Sequence, residues 1–189
     1  MSPVASPRMM TSYGQVDDAL NPDGGSSPIQ LPQGLVFAIL DDNKLVRMNT
    51  LRLLRKDPIF CSGESFAFGA DIEESSRFAR LITETRVDVA IFDQNLDYVT
   101  ADGTTVREYG AEVARLAKEV YGFEGVMVLH SANEALADTF ETGLFDGFIE
   151  KTASKQAFIA GLSAAWAAHS IDSKRRRGSS LTSVQACIS

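Results

Sequence analysis

The chain has 189 residues, 44% of them apolar, and a formal net charge of -7, which suits one ordinary domain with flanking segments rather than two domains. Its longest apolar run, Leu35–Leu40, is far too short for a membrane span of about 20 residues, and the N-terminus does not pair basic residues with an apolar stretch as a secretory signal would. Charge is uneven: one Arg against three Asp in residues 1–34 gives -2, four basic residues against one Asp in 171–189 give +3, and residues 35–170 therefore carry -8, an acidic body that speaks against nucleic-acid binding.

Residues 1–34 hold five of the six prolines among Ser, Gly and Asp and show no apolar periodicity, so a disordered N-terminal arm is expected. From residue 35 the chain alternates. Short apolar, β-branched or aromatic runs near 35–40, 59–66, 87–92, 125–130 and 145–149 predict five strands, separated by segments with helical spacing. Leu45, Met48, Leu51 and Leu54 predict one face of a first helix over 44–56, closed by Pro58. Asp71 with Glu74 resembles a capping box for a second helix that presents Phe78, Leu81 and Ile82. Val106, Tyr109, Val113, Ala117 and Val120 predict a third helix ending at Gly122; a fourth begins after Ser131 with Leu136 and Phe140; a fifth carries Phe158, Leu162, Ala165 and Trp166. From about Ile171 a basic tail, Lys174–Arg177 followed by polar residues, is expected to be unstructured. Cys61 and Cys187 lack metal-type spacing, and reduced thiols fit a cytoplasmic setting.

Five strands alternating with five helices predict a doubly wound, flavodoxin-like α/β domain over residues 35–170, a (βα)5 unit around a five-stranded parallel sheet. Near-continuous apolar strands support it, because strands buried on both faces have no polar side.

Four of the strand candidates run into polar residues at their carboxyl ends: Leu40 into Asp41 and Asp42, Phe92 into Asp93, His130 into Ser131, and Glu150 into Lys151. In an open parallel sheet these ends share one edge, beside which ligands bind. Two carboxylates 4 Å apart repel by about 4 kcal/mol at an effective dielectric of 20, a large part of a domain's stability of roughly 5–15 kcal/mol. One lysine is a poor match for three acids. A hard divalent cation such as Mg2+ matches better, and Lys151 with Ser131 would suit an oxyanion such as a phosphoryl group. Each position also has a plainer explanation: Asp42 could cap the first helix, Asp93 could start a turn, Ser131 with Glu134 could be a capping box, and His130 reads as a core histidine.

The order Asp-Asp after the first strand, Asp after the third, Ser-Ala after the fourth and Lys after the fifth resembles the receiver domain of two-component response regulators, in its single-domain form. The resemblance implies that Asp93 is the phosphoacceptor, that Asp41, Asp42, Asp93 and the backbone carbonyl of Asn95 hold Mg2+, and that Ser131 and Lys151 contact the phosphoryl oxygens. Ser131 and Phe148 would form the switch, with a Phe where a hydroxyl-bearing aromatic could stand. It further implies a histidine kinase or histidine phosphotransfer protein as donor and a downstream protein as target, with no nucleic acid and no membrane, and homodimerisation left open. Such a protein catalyses its own phosphorylation and dephosphorylation at most. The alternatives are a receiver-like scaffold that only docks proteins, and a haloacid-dehalogenase-like phosphatase, disfavoured because Asp93-Gln94-Asn95 lacks a second acid. Four departures from the family stand out: Thr152 in place of a proline after Lys151, Leu96-Asp97-Tyr98 in place of a Met-Pro segment, a longer stretch over 97–103, and a 51-residue spacing from Asp42 to Asp93 with room for an extended loop around 61–71.

Overall fold

The computed structural model describes residues 31–56, 64–132 and 143–185, with side chains as far as Ser173. Pro58, Cys61, Glu134, Leu136, Phe140 and Cys187 lie outside the described residues, as do the arm up to residue 30 and the helix expected after Ser131. In chain order the elements are β1 (Phe37–Leu40), α1 (Lys44–Lys56), β2 (Ser65–Phe68), α2 (Ile72–Glu84), β3 (Val89–Asp93), β4 (Asn95–Val99), β5 (Thr105–Tyr109), α3 (Gly110–Glu119), β6 (Val126–Ser131), β7 (Gly147–Glu150) and a last helix, α4 (Lys155–Gln185). The α4 backbone thus continues past Ile171, where the composition turns polar.

Five strands form a parallel sheet in the order β2-β1-β3-β6-β7. The strands are buried on both faces because their alternate residues enter two different cores. Ala38, Leu40, Ala90, Phe92, Met127 and Leu129 point into one, with Phe78 and Ile82 of α2 and Val113, Ala114 and Ala117 of α3. Phe37, Ile39, Val89, Ile91, Val126 and Val128 point into the other, with Leu54 of α1 and Phe158, Leu162 and Ala165 of α4. Helices on both faces and this strand order make the domain doubly wound, as the alternation predicts. In the first core Phe68, Phe78, Phe92 and Phe145 meet edge to face in succession, with centroids 5.4–5.8 Å apart, a geometry worth about 0.5–1.5 kcal/mol per pair beyond area burial.

Local signals explain the helix starts. Asp71 accepts the Glu74 N–H at 2.8 Å, while Glu74 Oε2 accepts from the N–H groups of Gly69 and Ala70, a variant of the capping box in which the acid reaches the two residues before the cap. α1 is capped by Asn43, whose Oδ1 accepts from Leu45 N–H. The expected apolar face of α1 is only partly used: Thr50 and Leu54 are buried, whereas Leu45 and Met48 are 69% and 57% exposed. At these two positions the helix is open to solvent.

The third helix is shorter than its spacing predicts. Val106 and Tyr109 belong to β5, and α3 starts only at Gly110. Residues 95–109 fold into an antiparallel hairpin, β4 with β5, where the sequence suggests a loop followed by helix. Its turn contains Asp102-Gly103, with Gly103 at φ 83°, a conformation that glycine adopts without steric cost. Leu96 and Tyr98 face inward and are buried in the first core, while Asn95, Asp97 and Val99 face out. Tyr98 Oη lies by Ser75 and near Glu108, and among Ser75 Oγ, Tyr98 Oη and Glu108 Oε2 no well-aligned hydrogen bond forms.

The hairpin is therefore held by apolar burial rather than by those polar atoms. Leu96→Ala is expected to cost roughly 2–5 kcal/mol in urea unfolding, and Tyr98→Phe no more than about 0.5 kcal/mol, since it deletes a hydroxyl that gains little from the fold. A tyrosine effect as large as the leucine effect would show that the hydroxyl makes a strong bond after all.

Candidate functional site at the carboxyl edge of the sheet

Strand register brings the polar residues together. Leu40 pairs with Phe92, so the next residues, Asp41 and Asp93, leave the sheet side by side between β1 and β3, where the strand order reverses and open α/β sheets form their crevice. Ser131 ends β6 opposite Glu150 of β7. Lys151 follows, its N–H donating to the Ser131 carbonyl at 2.9 Å. The Lys151–Thr152 bond is trans, like every peptide bond among the described residues.

At this edge Lys151 Nζ lies 2.6 Å from Asp93 Oδ2 and 2.8 Å from Asp41 Oδ2, the second contact being an ion pair rather than a well-aligned hydrogen bond. Lys151 is 16% exposed, Asp41 1% and Asp93 7%. Carboxylate oxygens of Asp41, Asp42 and Asp93 lie within 4.8 Å of one another. The plainer roles for two of them fall away. Asn43 caps α1, so Asp42 does not; Asp42 Oδ2 instead accepts from the Asp97 N–H at 3.0 Å. Asp93 is the last residue of β3 and its side chain is engaged by Lys151.

Electrostatics follow from this crowding. Burial pushes the Asp93 carboxyl up to about 6, against the pull of Lys151 and with Asp41 and Asp42 adding to the rise. Asp41 is also raised, first by burial, with Lys151 opposing. Burial pulls the Lys151 ammonium down, but the adjacent Asp41 and Asp93 carboxylates outweigh it and hold the lysine above its ordinary range. His130 is buried edge-on to Phe158; burial, and then the Lys151 charge, lower it to about 4, so it is a neutral core residue at pH 7.

One ammonium against three carboxylates leaves an excess of negative charge in a largely water-excluded edge. That is a donor set of hard oxygens for which Mg2+ is suited, with waters or phosphate oxygens as its remaining ligands. Asn95 lies at the start of β4, exposed and two residues beyond Asp93. Ser131 is buried at the end of β6, and Phe148 is partly buried against the first core.

Two residues that shape the site carry no sequence signal of their own. Arg47, on α1, places Nη1 2.6–2.9 Å from the carbonyls of Asp41, Asp42 and Gly69, stapling the chain around the acid pair. Gly110 abuts the Asp93 backbone so closely that a Cβ would lie 1.8 Å from the Asp93 carbonyl oxygen.

No protein-family model and no curated protein matches the chain. Solved structures do. The signal receiver domain of the response regulator NarL from Mycobacterium tuberculosis aligns with 68% of this chain and 92% of its own at 21% identity and TM-score 0.50. A LuxR-family two-component response regulator from Aurantimonas aligns with 71% and 86% at 22% identity and TM-score 0.53, and a response regulator receiver domain protein from Clostridium thermocellum with 74% and 97% at 17% identity and TM-score 0.52. The domain has the receiver fold. Moreover, no described helix is long and apolar enough to cross a membrane.

A carboxyl with a higher pKa folded than unfolded binds its proton preferentially in the folded state. Asp93 thus favours folding below its ordinary 3.8, and that contribution is lost as pH rises through about 6. With a chelator present, Asp93→Asn is expected to be more stable than wild type at pH 7.5 by about 1–3 kcal/mol, the gap closing towards pH 4; urea titrations across that range measure it. Gly110→Ala should cost at least about 2 kcal/mol at any pH by driving a methyl group into the Asp93 backbone, which thermal unfolding would register.

Proposed function

We propose that the protein is a phosphoacceptor receiver of a two-component or phosphorelay system, with Asp93 as the residue phosphorylated. The observation that carries this reading is the single ammonium of Lys151 held between the buried carboxylates of Asp41 and Asp93, with Asp42 completing a three-acid cluster. The receiver fold of the aligned structures, named as response regulators, supports it.

In this reading a carboxylate oxygen of Asp93 attacks the phosphorus of a phosphohistidine. An O–P bond forms, the N–P bond breaks, and the imidazole leaves with the bonding pair and takes up a proton. Asp41, Asp42, Asp93 and the Asn95 carbonyl would hold Mg2+, which supplies neutralisation of charge on the transferring oxygens. Lys151, already 2.6 Å from Asp93, pairs with a phosphoryl oxygen once the acid has become an acyl phosphate. Ser131, one strand over, donates its hydroxyl to another. Drawing Ser131 towards the phosphoryl group would disturb the packing of Phe148 and so pass the change to the surface around β7. Leu45 and Met48, exposed in the first half of α1 just after Asp42, offer apolar area on which a partner carrying the phosphohistidine could rest. A cytoplasmic setting and a downstream protein target complete the reading.

Incubation with Mg2+ and a small acyl-phosphate or phosphoramidate donor, followed by intact-mass measurement, tests it. One added phosphoryl group is expected on the wild type and none on Asp93→Ala. Folded protein that gains no mass with any donor would favour a docking scaffold instead.

A further inference from the structure

The hairpin inserted between Asp93 and α3 meets the acidic cluster through its backbone. Gly110 N–H donates to Gln94 O, and Thr100 N–H to Thr104 O. With the observed register, this makes Leu96–Glu108 and Tyr98–Val106 the hydrogen-bonded pairs and Asn95–Tyr109, Asp97–Arg107 and Val99–Thr105 the alternate ones. Peptide groups of the alternate pairs point away from the partner strand. The Asn95 carbonyl and the Asp97 N–H consequently lie along the free edge of β4, and the Asp97 N–H is the group that donates to Asp42 Oδ2.

We propose that the free edge of β4 is part of the metal centre, with Asp97 as a positioning residue whose N–H orients the Asp42 carboxylate, so that the hairpin is fastened more tightly when Mg2+ binds. This rests on the receiver reading of the acidic cluster. A carboxylate already hydrogen-bonded through one oxygen is fixed in orientation and need not be ordered by the metal, and groups in that supporting role typically change metal affinity by about 10–100-fold when removed. In return, a cation held jointly by Asp42 and the Asn95 carbonyl would tie the start of β4 to the segment that follows β1. The seam between hairpin and α2 leaves the binding unusually consequential, because Ser75 Oγ, Tyr98 Oη and Glu108 Oε2 contribute no well-aligned bond there.

Two substitutions and one exchange measurement test this. Asp97→Pro deletes the N–H and takes no bond from the β4–β5 ladder, since that N–H points away from β5. It also removes the side-chain pair with Arg107, whose Nε and Nη2 lie 2.6 and 2.8 Å from the Asp97 carboxylate. Asp97→Asn is the control: it loses the charge pair but keeps the N–H. By calorimetric titration with MgCl2, Asp97→Pro is expected to bind about tenfold or more weakly than wild type, and Asp97→Asn within about threefold. In wild type, Mg2+ should slow amide hydrogen exchange across residues 95–109. Equal Mg2+ affinity in the proline and asparagine variants would overturn the positioning role, as would Mg2+ binding that leaves hairpin exchange unchanged. If Asp97→Pro fails to fold, the wild-type exchange measurement still decides. Wild type that binds no Mg2+ would overturn the metal reading, and this proposal with it.

Discussion

A lysine ammonium clamped between two buried carboxylates is the contact around which this domain is organised. Removing an ion from water costs several kcal/mol after relaxation, and mutual attraction offsets that only when geometry is close and the charges balance. Here the geometry is close and the charges do not balance. Three acids face one base, and the surplus is concentrated at the crevice where the order of the parallel strands reverses. Lys151 cannot drift to relieve it, because its own backbone is tied to Ser131 and its reach is set by the pairing of β6 with β7. The sheet thus holds an electrostatic imbalance in place, and a hard cation is the kind of ligand such an imbalance favours.

The central sheet was legible in the sequence because burial on both faces leaves one signature that little else imitates: Phe37–Leu40, Val89–Phe92 and Val126–Leu129 are apolar at every position. The site was legible for a related reason. Polar residues placed immediately after such strands have few local explanations, and topology forces them to a common edge. The sequence assigns Asp41, Asp42, Asp93, Ser131 and Lys151 to that edge, and the structure brings the charged groups of Asp41, Asp42, Asp93 and Lys151 together there. Where a local explanation did compete, the structure divides the work between neighbours: Asn43 caps α1, which leaves Asp42 to face the cluster.

What the sequence hid has equally physical causes. Val106 and Tyr109 are spaced three apart and continue into Val113 and Ala117, so β5 and α3 together imitate one amphipathic helix across a strand-to-helix junction. The alternation of Leu96 and Tyr98, with Asp-Gly at 102–103, was the competing signal for a hairpin. Leu45 and Met48 satisfy helical periodicity yet stay exposed, because periodicity alone does not say where along a helix the core begins. Arg47 and Gly110 act by meeting backbone atoms far along the chain or on another element, and no pattern of neighbours in one sequence announces such a meeting.

The hairpin begins and ends at almost the same point: Gln94 and Gly110, on either side of it, are joined by a 3.0 Å hydrogen bond. Fifteen residues therefore leave the parallel sheet and return without displacing β3 or α3, so the contour length spent there is invisible to the sheet. Gly110, pressed against Asp93, is what closes the excursion. Segments of very different size could occupy this place while the Asp93 carboxylate stayed put, so the length of chain inserted here is independent of the geometry of the acidic edge.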